Sequence, residues 1–151
     1  MAALRIREAA PADAPALAPL MGQLGYPTTP ERVTRALAEV REAGARVLVA
    51  EVAGEAQGVA VVFRMVSLHK PAPVAYLSAL VVGESVRGQG VGTALIAAVE
   101  ATGRAWGCAA IELTSNNRRA DAHQFYAALG FVSESRKFRR VIPPPIGGPA
   151  A

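Results

Sequence analysis

From Arg87 to Thr93 the chain reads Arg-Gly-Gln-Gly-Val-Gly-Thr, with three alternating glycines behind an arginine and ahead of a helical pattern. Glycine permits positive φ and a close approach of the backbone to a ligand. Successive N–H groups at a helix start, with the helix dipole behind them, make a cradle for phosphate or pyrophosphate. Arg87 adds a charged fork. Two nucleotide loops are excluded by the letters. A P-loop needs Lys-Ser/Thr after its last glycine, whereas Gly92 is followed by Thr93-Ala94. The Gly88-x-Gly90-x-Gly92 spacing is not that of a dinucleotide turn, although Glu112 stands 20 residues past Gly92.

The cradle needs a strand before it and a helix after it. Val74 to Val82, VAYLSALVV, is almost continuously apolar and reads as a central strand covered on both faces. Leu95, Val99 and Thr102/Trp106 repeat at helical spacing after the loop, in a helix expected to start near Thr93 and to close at Gly107. Upstream, Leu4 and Ile6 alternate as a half-buried strand does. Two helices follow, one on Ala14, Leu17, Leu20/Met21 and Leu24, the other opened by Thr29-Pro30-Glu31 and stopped at Gly44. RVLVAEVA and VAVVFRMV flank turn letters at 54 to 58, so they form a hairpin. AAIELT is a strand, ADAHQFYAALG a short helix, and FVSESRKFRRVI one or two final strands. This β-α-α-β-β-β-α-β-α-β order predicts an α/β fold with a single mixed, partly antiparallel twisted sheet flanked by helices. One domain over 1–142 and a Pro/Gly-rich tail over 143–151 are expected.

The 151 residues are 52% apolar and carry 16 Lys+Arg against 12 Asp+Glu, which excludes disordered and fibrous classes. Residues 118 to 140 hold six of the basic groups with only Asp121 and Glu134, so the net charge of +4 is local. A nucleic-acid partner is therefore not expected, and Arg136 to Arg140 read as a charged strand face. With Cys108 alone and only His69 and His123 beside it, there is no metal-ligand spacing and no internal disulfide. Cys108 is expected to be a small buried hydrophobe, and both histidines to face solvent or cap. Arg5, Arg7 and Glu8 interrupt any leader-like apolar run, and no stretch has membrane length, so a cytoplasmic protein is expected.

The loop Arg87-Gly88-Gln89-Gly90-Val91-Gly92 resembles the R/Q-x-x-G-x-G/A acetyl-CoA loop of the GNAT superfamily of N-acetyltransferases. Phe125-Tyr126-Ala127-Ala128-Leu129-Gly130-Phe131 resembles that family's F-Y-x-x-L-G-F segment, with one helix and one strand between the two blocks, as the family has. The resemblance implies the GNAT-like fold and acetyl transfer from acetyl-CoA, as co-substrate, to an amine acceptor. It implies that the amides of Gly88 to Thr93 hold the pyrophosphate, with Arg87, Gln89 and Val91 in the same loop. Leu80, Val81 and Val82 lie along the pantetheine arm, which adds to the strand's backbone where the family's sheet splays. The N–H of Leu80 would stabilise the oxyanion, and the hydroxyl of Tyr126, beside Phe125 at the cofactor, would protonate the departing thiolate.

The sequence departs from the family at two places. Arg119 stands where the family often has an asparagine, and strand 74 to 82 lacks the carboxylate that several relatives carry. Glu84, Glu112, His69, Tyr26 or a water path is left to remove the amine's proton. The first half, with both early helices and Gly25-Tyr26-Pro27, is expected to form the acceptor side. The resemblance also suggests a homodimer. A non-catalytic acyl-CoA sensor is the alternative that the same cradle permits.

Overall fold

In the computed structural model, residues 3–115 and 120–147 are described. The chain forms two compact units, Met1–Leu113 and Thr114–Ala151. The first unit holds a five-stranded sheet in the order β1(Leu4–Glu8), β2(Arg46–Val52), β3(Glu55–Met65), β4(Val74–Val82), β5(Ile111–Leu113). All neighbours are antiparallel except β4 and β5. The mixed sheet and its flanking helices agree with the architecture expected from the sequence.

α1(Ala14–Leu24) and α2(Pro30–Glu42) cover one face. Their apolar stripes, Leu17 and Leu20 on α1 with Val33 and Leu37 on α2, cluster with Val47, Val49, Val59 and Val81 of the strands. The Thr29 hydroxyl accepts from the Arg32 N–H at 3.3 Å, so the predicted N-cap forms. α3(Val91–Ala105) covers the other face with Leu95 and Val99 fully buried, each contributing about 1.5–3 kcal/mol of burial. Two missing side chains let it lie this close. A Cβ on Gly58 would come within 3.2 Å of Leu95 Cδ1 and Val91 Cγ1, and one on Gly103 within 3.1 Å of the Ala75 Cβ.

The first strand is tied to the first helix by charge. Arg7 makes a two-pronged pair with Asp13, 2.8 Å on each prong, and its Nε donates to Glu51 on β2 at 2.6 Å. The Ala10 N–H also donates to Asp13, which is only 8% exposed. These bonds, the Arg7 pair foremost, hold the Asp13 carboxyl below its ordinary range against the opposing effect of burial. Arg7 is raised in turn, chiefly by Asp13 and then by Glu51.

Several expectations are adjusted. The β2–β3 turn is shorter than the letters suggested: Ala53 and Gly54 both take positive φ, 51° and 84°, so two residues close the hairpin and β3 begins at Glu55. α3 begins at Val91, two residues before Thr93, because Gly90 with φ 82° already serves as its N-cap. β4 has the expected bounds but is not covered throughout: Ser78 is exposed and Ala79 and Leu80 are half-buried. Cys108 is half-buried, whereas His69 and His123 are exposed.

In the second unit α4 spans Ala120–Ala128, and the Gly130 and Phe131 amides close its end on Ala127 and Tyr126. No strand forms among the described residues from 131 to 147, against the one or two expected over 131–142. A strand needs a ladder partner and one face that buries. Here the charges Arg136, Lys137, Arg139 and Arg140 interrupt the apolar positions, and Val132, Phe138, Val141 and Ile142 are all exposed.

Candidate active site

The predicted cofactor residues from Leu80 to Thr93 form one continuous stretch of the first unit. β4 pairs with β3 from end to end, but with β5 only through Ala75, Tyr76 and Leu77. Among the described residues, no strand pairs with the β5-side edge of Ser78 to Val82. Ser78 itself is a bulge: Val61 pairs with Ala79 and Val62 with Leu77, leaving Ser78 without a β3 partner. Its hydroxyl donates to the Val61 carbonyl at 3.3 Å.

The direction of the backbone groups follows from the alternation of an antiparallel ladder. The Gly83 N–H donates to the Gln57 carbonyl at 2.7 Å, which marks that pair as hydrogen-bonded. Two residues back, Val81 opposite Val59 is then also turned toward β3. Leu80 and Val82 lie between these pairs, so their N–H and C=O groups point to the unpaired edge. The Arg87 side chain agrees, for its Nε donates to the Val82 carbonyl from that side at 3.3 Å. The bulge sets this alternation by moving every residue after Ser78 one step out of phase with those before it.

A short 3-10 turn, Glu84–Val86, leads from β4 into the glycine loop. Its first amide, the Glu84 N–H, donates to the side chain of Gln23 near the end of α1 at 3.2 Å. Gly83 sits so tightly against Gln57 that a Cβ there would meet its Oε1 at 2.9 Å. Backbone pairing stops with the Arg87 N–H on Glu84 and resumes with the Ala94 N–H on Gly90 at 3.0 Å. Among the described residues, the amides of Gly88 to Thr93 donate to no backbone carbonyl. Gly88 and Gly90 take φ of 78° and 82°, the left-handed backbone from which anion-binding nests are built, and Val91 is buried in the core. Arg87, Gly88, Gln89 and Gly90 are exposed. The arrangement is an open nest of six amides at a helix start, suited to a multiply charged anion.

Phe125 and Tyr126 belong to the second unit. Both are half-buried, and Tyr126 packs edge-on to Phe125 and Phe131 with ring centres 5.4 and 5.6 Å apart. The letters F-Y-x-x-L-G-F therefore form a local aromatic cluster closed by the Phe131 N–H on the Tyr126 carbonyl at 3.0 Å. Arg119, at the family's asparagine position, lies outside the described residues, as do its neighbours Asn116, Asn117 and Arg118. Among the suggested bases, Tyr26 is 71% exposed, and Glu112 is paired with Lys70 at 2.9 Å. Gln23, which holds the turn into the loop, was not foreseen: nothing in its sequence surroundings connects position 23 with position 84. Among the described residues, no group of three or more His, Cys, Asp or Glu could hold a metal ion.

Comparison with known proteins shows the family. Residues 13–131 match the model of the acetyltransferase (GNAT) family. The chain is 38% identical over 138 residues to aminoglycoside N(6')-acetyltransferase type 1 of Stenotrophomonas maltophilia, covering 87% of this chain and 88% of that one. It is 32% identical over 89 residues to an aminoalkylphosphonate N-acetyltransferase of Salmonella typhimurium, covering 59% and 58%. The solved aminoglycoside N-acetyltransferase AAC(6')-Iy in complex with CoA superimposes with a TM-score of 0.82 at 23% identity, over 94% of this chain and 96% of that one, and so shares the fold. The chain belongs to the GNAT family of acetyltransferases. Its activity is acyl transfer from a coenzyme A thioester to an amine.

Proposed function

We propose that the acyl group is acetyl and that acetyl-CoA lies along β4 with its diphosphate in the amide nest of Gly88 to Thr93. The observation that carries this reading is the unpaired edge of β4, whose Leu80 and Val82 backbone groups offer the pantetheine amides a missing strand partner. Arg87 and the side of Gln89 border the diphosphate, and Val81 and Val91 fasten the two ends of the cradle into the core. The amine nitrogen attacks the thioester carbonyl carbon directly. The oxyanion that forms takes a hydrogen bond from the Leu80 N–H, and collapse breaks the C–S bond. The leaving thiolate takes the proton of the Tyr126 hydroxyl, with Phe125 beside it, while the attacking nitrogen releases its own proton to water.

The two curated relatives are named for different acceptors, an aminoglycoside and an aminoalkylphosphonate. Both are amines, and that much is carried to this chain. We take 1–142 as the functional domain with 143–151 as a tail, and the protein as cytoplasmic and homodimeric. Light scattering tests the last of these.

The decisive experiment measures thiol release from acetyl-CoA across an amine panel together with calorimetry of coenzyme A binding. Tyr126→Phe is expected to lower kcat by about 10²-fold or more with coenzyme A affinity unchanged. Unaltered turnover in Tyr126→Phe would remove the tyrosine from the mechanism. Coenzyme A binding without transfer to any amine would favour the sensor reading.

A further inference from the structure

Val74 to Val82 carries two polar side chains, Tyr76 and Ser78. Tyr76 stands level with Glu112 of β5, where β4 is still paired on both edges. Ser78 is the first residue past Leu77, the last with a β5 partner, so it stands where the edge opens. It is exposed, and β3 offers it no opposite residue. Bulges beside active sites re-aim a side chain. The neighbours of Ser78 fix the face to which this one turns. Ala75 lies against α3, since a Cβ on Gly103 would come within 3.1 Å of its methyl. Leu77, two residues on, shares that face, and Ser78 takes the other. Val81 packs in the cluster beneath α1 and α2, and Ala79, two residues before it, shares that second face. Ser78 and Ala79 therefore stand side by side on the α1/α2 side of the sheet, whereas regular alternation would set them on opposite faces.

The hydroxyl has a fixed polarity. It donates its one proton to the Val61 carbonyl at 3.3 Å. What Oγ offers to an incoming group is then its lone pairs, so it accepts and does not donate. At about 3.3 Å per residue, Ser78 lies roughly 6 Å along the strand from Leu80. A carbonyl carbon held beside the Leu80 N–H, with an amine about 3–3.5 Å from it, fits within that span. α3 packs over the opposite face of β4, so the amine reaches the carbonyl from the side on which Ser78 stands.

We infer that Ser78 is a further catalytic residue: its Oγ accepts a hydrogen bond from an N–H of the acceptor amine and so turns the nitrogen lone pair toward the thioester carbon. The inference rests on the acetyltransferase reading above and deepens it. As the N–C bond forms, the nitrogen becomes positive. The same hydrogen bond is then charge-assisted, and stronger in the transition state than in the bound neutral amine. Ser78 keeps its own proton throughout. The C–S bond breaks, the thiolate takes the Tyr126 proton, and the nitrogen releases its proton to water.

The test follows thiol release from saturating acetyl-CoA in Ser78→Ala and Ser78→Thr, with whichever of propylamine, 2-aminoethylphosphonate and an aminosugar the wild type acetylates fastest. Calorimetry with coenzyme A and thermal denaturation accompany it. Ser78→Ala is expected to lower kcat by at least about tenfold with coenzyme A affinity and Tm unchanged, and Ser78→Thr, which keeps the hydroxyl, to recover to within about threefold of the wild type. A change confined to KM would make Ser78 a binding contact alone and overturn its catalytic role. Wild-type turnover in Ser78→Ala overturns the inference, and so does a joint loss of Tm, coenzyme A affinity and turnover in both variants; either leaves the acetyltransferase reading standing. A wild type that fails to bind coenzyme A, or binds it and acetylates none of the three amines, overturns both.

Discussion

Gly58→Ala tests how α3 carries the loop. The added methyl would lie 3.2 Å from Leu95 Cδ1 and from Val91 Cγ1 and 3.3 Å from the Ala50 Cβ, each a few tenths of an ångström inside ordinary contact. Val91 and Leu95 are the first two buried residues of α3 and both are pressed at once, so relief is expected from a lift of the start of that helix from the sheet. Overpacking of this size costs about 2 kcal/mol. For a chain of this length that lowers Tm by roughly 4–8 °C. The lift also moves the amides of Gly88 to Thr93, so coenzyme A affinity should fall by about tenfold, more than the stability loss alone would cause in a protein that is still folded. Thermal denaturation and calorimetry read the two effects separately. Gly22→Ala is the counterpart: nothing lies within 4 Å of its new methyl inside α1, so it should stabilise by about 0.5–1 kcal/mol and leave coenzyme A affinity alone. If Gly58→Ala matched the wild type in both Tm and affinity, the missing side chain would not be what seats the loop.

Gln23→Met removes the acceptor for the Glu84 N–H while keeping the side chain's size; at about 1 kcal/mol it should lower Tm by roughly 2–4 °C and weaken coenzyme A binding up to about fivefold, and Gln23→Glu should restore both. Arg7→Met leaves Asp13 and Glu51 without their partner and should destabilise the fold by about 2–3 kcal/mol at neutral pH, measured by urea denaturation. The sign with pH follows from Asp13, whose carboxyl is lowered in the folded state from the ordinary 3.8. Its contribution is present above that ordinary value and is lost as pH falls through the lower folded one, so the wild type should lose stability on acidification below about pH 4, and Arg7→Met should lose less.

Much of the fold was legible because it depends on local signals. The apolar run Val74 to Val82 marked β4 at its observed bounds, and Thr29-Pro30 marked the start of α2, since capping and periodicity act over a few residues. The same local rules misjudged FVSESRKFRRVI: its apolar letters have strand character, but a strand is made by its partner, and the described residues there have none. The hairpin turn was drawn too long because Gly58 looked like a turn residue, when its role is to let Leu95 approach.

The glycine loop, the aromatic block, the absence of a carboxylate from strand 74 to 82 and the basic C-terminal stretch were set by the order of residues alone, because backbone freedom and charge travel with each residue wherever it is placed. Which amides of β4 face outward was decided only in three dimensions. It depends on β5 stopping at Leu113, on Ser78 bulging against Val61, and on the Gly83 bond to Gln57 fixing the alternation. Each of these joins residues distant along the chain, and a ladder's register is a property of two strands together, so no reading of one strand contains it.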